Sequence, residues 1–427
     1  MTQPYDMTAT EALSSIASGK LTAEVLVRSC AERIEAYERE VGAWQYLDVG
    51  AALDRAAVLD RSKGRALLHG IPFGVKDIID TADMPTEYGS PIYKGNRTPW
   101  DAACVALTRA AGGILLGKTV STEFAHRFPG RTCNPHNLAH TPGGSSSGSA
   151  AAVAARMVPL AIGTQTGGST IRPAAYCGIV GYKATFGDFS LFGVREQTRS
   201  FDSLGLFARS IDDIALFRSV LLRDRWMPLP QVDGEALRIG FCRTPYWSEA
   251  EDSTRSLLEE GAKSLARAGA KISDVELPQV FSHLREAARA VSGFEFARGL
   301  TYELTHHAEK LSKILREGRA AEGLNCNYER YAEGRKTVAE CRRQLGGMLG
   351  DYDVLIAPAA PGEAPEGISS TGNPIFNAVW NYMDVPALTL PAFTGPKGLP
   401  VGVQLVGKWF LDRELLGAAG WIGAHIA

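Results

Sequence analysis

From Leu67 onward the chain is divided into short apolar runs closed by glycine or proline and separated by helix-like segments. That rhythm is the tightest constraint on its fold. Gly70-Ile-Pro-Phe-Gly-Val-Lys-Asp-Ile-Ile, Gly113 to Leu116, Val158 to Gly163 and Ile179 to Tyr182 read as strands. Ala102 to Ala111 and the alanine-rich Gly148 to Arg156 read as helices between them. Short apolar runs alternating with helices predict an α/β fold: a large mixed, mostly buried β-sheet with helices on both faces.

The first 60 residues read as helix, with Leu21, Val25, Leu26, Cys30, Ile34 and Tyr37 near helical spacing. The stretch from about 232 to 349 is richer in charge and helical in period, for example Ser253 to Ala268 and Tyr328 to Leu345. Strand-like text returns at Asp353-Val-Leu-Ile-Ala-Pro, Ala387-Leu-Thr-Leu-Pro and Pro400-Val-Gly-Val-Gln-Leu-Val-Gly. With no long low-complexity linker and no repeat, a single domain over 1–427 is expected. Its core motifs fall at 67–190 and 350–410, and its helical middle at 232–349.

Charge excludes some partners. Lys+Arg 45 against Asp+Glu 47 leaves a formal charge of −2, so no basic excess points to nucleic acid or an anionic membrane. The seven cysteines are scattered without a Cys-x-x-Cys pair, which suits free thiols in a reducing compartment. The start, Met1-Thr-Gln-Pro-Tyr-Asp, lacks signal-peptide character, and apolar runs fall short of the ~20 residues of a membrane helix. A cytoplasmic location is expected, with a homodimer the one assembly left open.

The densest anomaly is Thr141-Pro-Gly-Gly-Ser-Ser-Ser-Gly-Ser149, followed by Gly163-Thr-Gln-Thr-Gly-Gly-Ser169. Taken alone, the first segment also reads as a flexible surface linker. It runs directly into a helix, however, and a helix start with free N–H groups and small residues is a natural anion site. In the second segment, Thr166-Gly-Gly-Ser169 can turn its backbone N–H groups toward one point beside the serine hydroxyl. Acyl transfer requires that pairing of nucleophile and oxyanion hole. A base is still needed, and no histidine lies in these segments; the nearest are His126, His136 and His140. Lys76 lies in an apolar strand with Asp77 on the opposite face. Burial without a carboxylate lowers a lysine pKa from its reference of ~10.4 and yields a neutral amine. The residues alone equally allow Lys76 to snorkel or to pair elsewhere.

Four ordered motifs now combine: Gly70-Ile-Pro-Phe-Gly-Val-Lys-Asp, Pro142-Gly-Gly-Ser-Ser-Ser-Gly-Ser, Gly167-Gly-Ser with Cys177-Gly-Ile-Val-Gly-Tyr-Lys, and Gly398-Leu-Pro-Val-Gly-Val-Gln-Leu-Val-Gly. Together they resemble the amidase signature family from about Leu21 to the end. Ser169 lies 24 positions after Ser145 (169 − 145), the separation usual for that family's two catalytic serines. The resemblance implies amide hydrolysis through an acyl-enzyme, with no metal or organic cofactor. Ser169 would be the nucleophile, Ser145 the proton relay after a cis bond from Gly144, and Lys76 the base. Backbone N–H groups of Thr166, Gly167, Gly168 and Ser169 would hold the oxyanion, and Gly144 and Arg172 would meet the substrate.

The chain departs from the common family text at Gln165, where Asp is frequent, and at Arg172, which follows the nucleophile by three places rather than two. An arginine released from a buried carboxylate could hold a substrate carboxylate by paired bonds; a structural ion pair with another acid is the alternative. With Lys76-Asp-Ile-Ile-Asp-Thr-Ala-Asp-Met-Pro-Thr-Glu and Ser370-Thr-Gly-Asn-Pro, this variant is similar to malonamidases, which cleave the mono-amide of a small dicarboxylic acid. Other activities implied by the resemblance are a glutamine-hydrolysing subunit of a tRNA-dependent amidotransferase and a biuret or urea-type amide hydrolase. A catalytically retired binding module is also considered.

Two motifs mislead. Gly112-Gly-Ile-Leu-Leu-Gly-Lys-Thr119 matches a nucleotide-binding loop, but a helix precedes it and Ile114 to Leu116 read as strand interior. His306 and His307 are adjacent, so they do not face one way on a helix and make a poor metal pair.

Overall fold

The computed structural model describes residues 3–62 and 66–427. Met1 and Thr2 of the N-terminal stretch considered above lie outside the described residues. Eleven strands form one sheet: β1 Trp44–Leu47, β2 Pro72–Lys76, β3 Ile114–Thr119, β4 Leu160–Gln165, β5 Val180–Lys183, β6 Ser203–Ala208, β7 Arg238–Cys242, β8 Lys271–Val275, β9 Val354–Pro358, β10 Ala387–Thr394 and β11 Pro400–Val406. Their spatial order is β1-β3-β2-β4-β6-β5-β10-β11-β9-β7-β8. β2 runs parallel to both β3 and β4, and β7 runs parallel to β8 and β9. The remaining pairings are antiparallel, so the sheet is mixed as expected.

Every residue of β2, β3, β4, β5, β6 and β9 is buried. Because successive side chains point to opposite faces, such strands must be covered on both sides. Each large side chain sealed there, Phe73 or Phe207 for example, stabilises the fold by about 1.5–3 kcal/mol through burial.

Local chemistry fixes the flanking helices. Thr22 Oγ1 accepts from Val25 N at 3.2 Å to start Ala23–Val41, and Gly42, at φ +62°, ends it. Asn327 caps the long helix Tyr328–Leu349 in the same way. The helix Ser147–Ala154 packs against β2, β3, β4 and β6. Its small residues are what allow this: a Cβ on Gly148 would stand 2.2 Å from Ala43 O and 2.4 Å from Val120 N.

Two regions differ from their helical expectation. The first 60 residues contain β1, an edge strand paired with β3. The middle stretch carries β7 and β8, which extend the opposite end of the sheet. β8 is exposed or half-buried over most of its length, so it lacks the apolar alternation that marks a strand in sequence.

The misleading motifs resolve structurally. Gly117 and Lys118 lie in β3, and Lys118 Nζ is buried, donating to Ile79 O at 2.5 Å and Thr86 Oγ1 at 2.6 Å. Among the described residues no cluster of His, Cys, Asp and Glu is arranged to hold a metal, and no helix is long and apolar enough to cross a membrane. All seven cysteines are free thiols, and all but Cys133 are buried.

Candidate active site

Lys76 ends β2 and is wholly buried. Its Nζ lies 2.6 Å from Ser145 Oγ and 2.8 Å from Thr164 Oγ1, the latter on the neighbouring strand β4. Burial pushes the amine well below the usual lysine range, and the charge of Asp202 opposes this only in part. Asp202 does not bond to the amine. Its carboxylate accepts from Thr166 Oγ1 at 2.5 Å and from the N–H groups of Gln197 and Thr198 at 2.7 and 2.8 Å. Burial raises Asp202 itself to about 7, against those hydrogen bonds. Asp77, expected on the far face from Lys76, lies 3.8 Å from the Lys118 ammonium instead.

The glycine-serine tract is a buried, hydrogen-bonded element rather than a linker. Ser146 Oγ donates to Thr164 O at 3.2 Å, Ser147 Oγ to Gly143 O at 2.8 Å, and Ser149 Oγ to Ile162 O at 3.1 Å. The first and third pin the tract to β4, and the second closes the tract on itself. The Gly144–Ser145 peptide is cis.

β4 then runs into the turn Thr166 to Thr170 and the short helix Ile171–Tyr176. Gln165 Oε1 accepts from both Thr170 N and Ile171 N at 3.0 Å, a helix-start role that a neutral amide oxygen fills in place of the more common carboxylate. Asn381 Nδ2 donates to Thr166 O at 2.7 Å and holds the turn from outside. Among the described residues, no protein acceptor takes the N–H groups of Thr166, Gly167, Gly168 or Ser169. Gln165→Leu leaves two helix-start N–H groups without an acceptor. It is expected to destabilise the fold by about 1–3 kcal/mol for each, read as a lowered urea midpoint, whereas Gln165→Glu keeps both bonds. An unchanged midpoint in the leucine variant would refute this role.

Arg172 links the two halves of the site. It is buried, and its Nη2 donates to Gly144 O at 2.5 Å and Thr371 Oγ1 at 3.2 Å. Nε and Nη1 are buried with no partner, and no carboxylate pairs with this guanidinium among the described residues. Burial lowers its pKa to about 10, so it stays cationic near neutrality.

A cavity of about 380 Å³ opens over Thr166, Gly167, Gly168, Ser169 and Arg172. Ser169 is half-buried and lines it. The cavity's other walls come from segments that sequence reasoning left unassigned, including Tyr382, Phe296 and His126. His126 stacks on Phe296 with ring centroids 5.1 Å apart, and burial drives its pKa down to about 3, so it is a neutral imidazole. Among the described residues, no histidine hydrogen-bonds to Ser145. Thr164, Asp202 and Asn381 were equally unassigned. Thr164 stood inside the quoted motif, but nothing local marked Asp202 or Asn381.

The arrangement defines a class. A buried amine touches a serine hydroxyl, and a second serine lies in a glycine turn with unpaired N–H groups beside a cationic cavity, as in serine-dependent acyl-transfer enzymes. Residues 25–416 match the Amidase family, and the chain belongs to that family of amide-hydrolysing enzymes. It is 33% identical to the A subunit of glutamyl-tRNA(Gln) amidotransferase from Chloroflexus aggregans, over 97% of this chain and 96% of that protein. It is 32% identical to the corresponding A subunit from Oleidesulfovibrio alaskensis, over 98% and 97%. An amidase crystal structure superimposes with TM-score 0.90 at 29% identity, over 99% of this chain and 100% of the other. The peptide amidase of Stenotrophomonas maltophilia gives 0.83 at 29%, over 99% and 98%. The finer resemblance to malonamidases gains no support from these relatives.

Proposed function

We propose that this enzyme hydrolyses a small primary carboxamide bearing a carboxylate and releases ammonia through an acyl-enzyme on Ser169. The observation that carries the chemistry is the 2.6 Å contact between a buried Lys76 amine and Ser145 Oγ. A neutral amine there accepts the Ser145 proton while Ser145 takes that of Ser169, once the two hydroxyls, which share no hydrogen bond in this structure, close on each other; the Ser169 oxygen then attacks the carbonyl carbon. The oxyanion that forms meets the unpaired N–H groups of the Thr166 to Ser169 turn. Collapse breaks the C–N bond, and the proton held at Lys76 returns through Ser145 to the departing nitrogen. Water then repeats the sequence on the acyl-enzyme and frees the acid.

The carboxylate preference rests on Arg172, a cavity-lining residue whose Nε and Nη1 are buried without a protein partner. A buried guanidinium without an acid partner is costly unless a ligand supplies one. Arg172→Lys is expected to lower kcat/KM for malonamate by roughly 10- to 100-fold, the size of one or two charge-assisted hydrogen bonds, and to leave neutral aliphatic amides within a few-fold. An ammonia-release panel of malonamate, neutral aliphatic and aryl amides, biuret and glutamine reads this directly. Equal losses on acidic and neutral amides would refute the clamp.

A second reading is favoured by the near full-length likeness to the amidotransferase proteins. On it, the amide is glutamine and the ammonia passes to partner proteins. Efficient ammonia release from small amides by the purified chain alone would count against this reading. Negligible activity that appears only with partner proteins would favour it.

A further inference from the structure

The cavity wall is strongly cationic on a chain whose formal net charge is only −2. Five arginines line it, Arg127, Arg172, Arg285, Arg289 and Arg319, with Glu322 the single carboxylate among the described lining residues. That carboxylate is already engaged. Glu322 accepts from Arg289 Nε at 3.1 Å and again from its Nη2, and from Arg319 Nη1 at 3.3 Å. Arg319 also donates to Ser292 Oγ.

Arg127 and Arg285 differ from these. Both are exposed residues, and neither guanidinium makes an ion pair or a hydrogen bond with the described residues. Burial raises the phenol of Tyr382, and the charges of Arg319, Arg127 and Arg285 oppose that shift; burial lowers Arg172, and the charge of Arg127 adds to the lowering. These guanidinium groups stay charged near neutrality, so a cleft lined by them focuses a positive field that a counter-anion relieves.

We propose that Arg127 and Arg285 form a second anion subsite at the cavity mouth, so that the preferred substrate carries two negatively charged groups and no ammonium. This rests on the acidic-amide reading, with Arg172 taking the inner carboxylate. An α-ammonium is disfavoured because the one carboxylate in the wall is bound by two arginines and has little capacity left for it. Free glutamine is therefore a poor fit to this wall, and a glutamine derivative with its amino group acylated by a dicarboxylic acid is a good one.

Three amides with the same scissile group separate the charges: glutamine, N-acetylglutamine without the ammonium, and N-succinylglutamine with a second carboxylate on a longer arm. For the intact enzyme, kcat/KM is expected to rise in that order, by about tenfold for the added carboxylate, a preference that shrinks as salt is raised. In the double variant R127A/R285A the ratio of N-succinylglutamine to N-acetylglutamine is expected to fall toward one. Both side chains are exposed and unpaired, so their removal strands no buried group; an unchanged melting temperature checks that. Equal kcat/KM for the two acylated amides, a preference for glutamine, or turnover of malonamate without turnover of N-succinylglutamine would overturn the subsite. So would competition by a short RNA through Arg127 and Arg285 without discrimination among the amides, which would assign the mouth to a polyanion. Cleavage of neutral amides with no turnover of any carboxylate-bearing amide would instead overturn the acidic-amide reading beneath it.

Discussion

Ser169→Ala is expected to lower kcat for the best amide by about 10⁴- to 10⁶-fold, the loss seen when a serine nucleophile is removed from a preassembled site. The fold should hardly notice. Ser169 is half-buried and its hydroxyl makes no hydrogen bond with the described residues, so alanine strands no partner, and stability should stay within about 0.5 kcal/mol. Two measurements separate chemistry from folding: a thermal melt, and labelling by a serine-directed fluorophosphonate. The intact enzyme should label at Ser169 and the variant should not. Turnover retained in Ser169→Ala would sink the nucleophile assignment. Failure of the intact enzyme to label, with no turnover of any amide, would leave a binding module.

Lys76→Ala should cost about 10²- to 10⁴-fold at neutral pH, the usual worth of a positioned general base. Its pH dependence is the sharper test. Burial disfavours the ammonium, so the intact enzyme should lose activity on the acid side as Lys76 takes up a proton, at a pH well below the ordinary lysine range. In the variant that acid limb disappears, and residual activity should climb steadily with pH as hydroxide replaces the amine. Stability gives an independent reading. Between the depressed pKa of the folded protein and ~10.4 in the unfolded chain, unfolding takes up a proton, so Lys76 makes stability rise with pH across that window. Lys76→Met keeps the side-chain volume and should flatten the rise. An acid limb that persists in Lys76→Ala would assign it to another group, with Asp202, raised to about 7, the nearest candidate.

Legibility was uneven for physical reasons. β2, β3, β4 and β5 announced themselves because strands sealed on both faces must be apolar throughout. β8 did not, because an edge strand with mostly exposed side chains has no apolar pattern to show. β1 hid in four residues between two helices. Lys76 and Ser145, joined in sequence only by a resemblance, touch in the structure because β2 and the tract leading into Ser147–Ala154 both pack on β4. Gln165 was visible as a departure from common family text, yet its service as acceptor for two helix-start N–H groups was not.

What the sequence by itself determined was local: the strand carrying Lys76, the small-residue tract around Ser145, the glycine turn before Ser169, and the family these motifs denote in order. Each depends on backbone permissiveness or apolar periodicity within a few residues, and such information is written directly in neighbouring side chains. Tertiary structure alone decided that the glycine-serine tract is core, that Lys76 meets hydroxyls instead of a carboxylate, and that Arg172 has no acid partner among the described residues. It also gathered Arg127, Arg285 and Arg319 around one cavity. Those outcomes depend on which distant segments the sheet order brings together, and burial and pairing exist only once the chain has closed on itself.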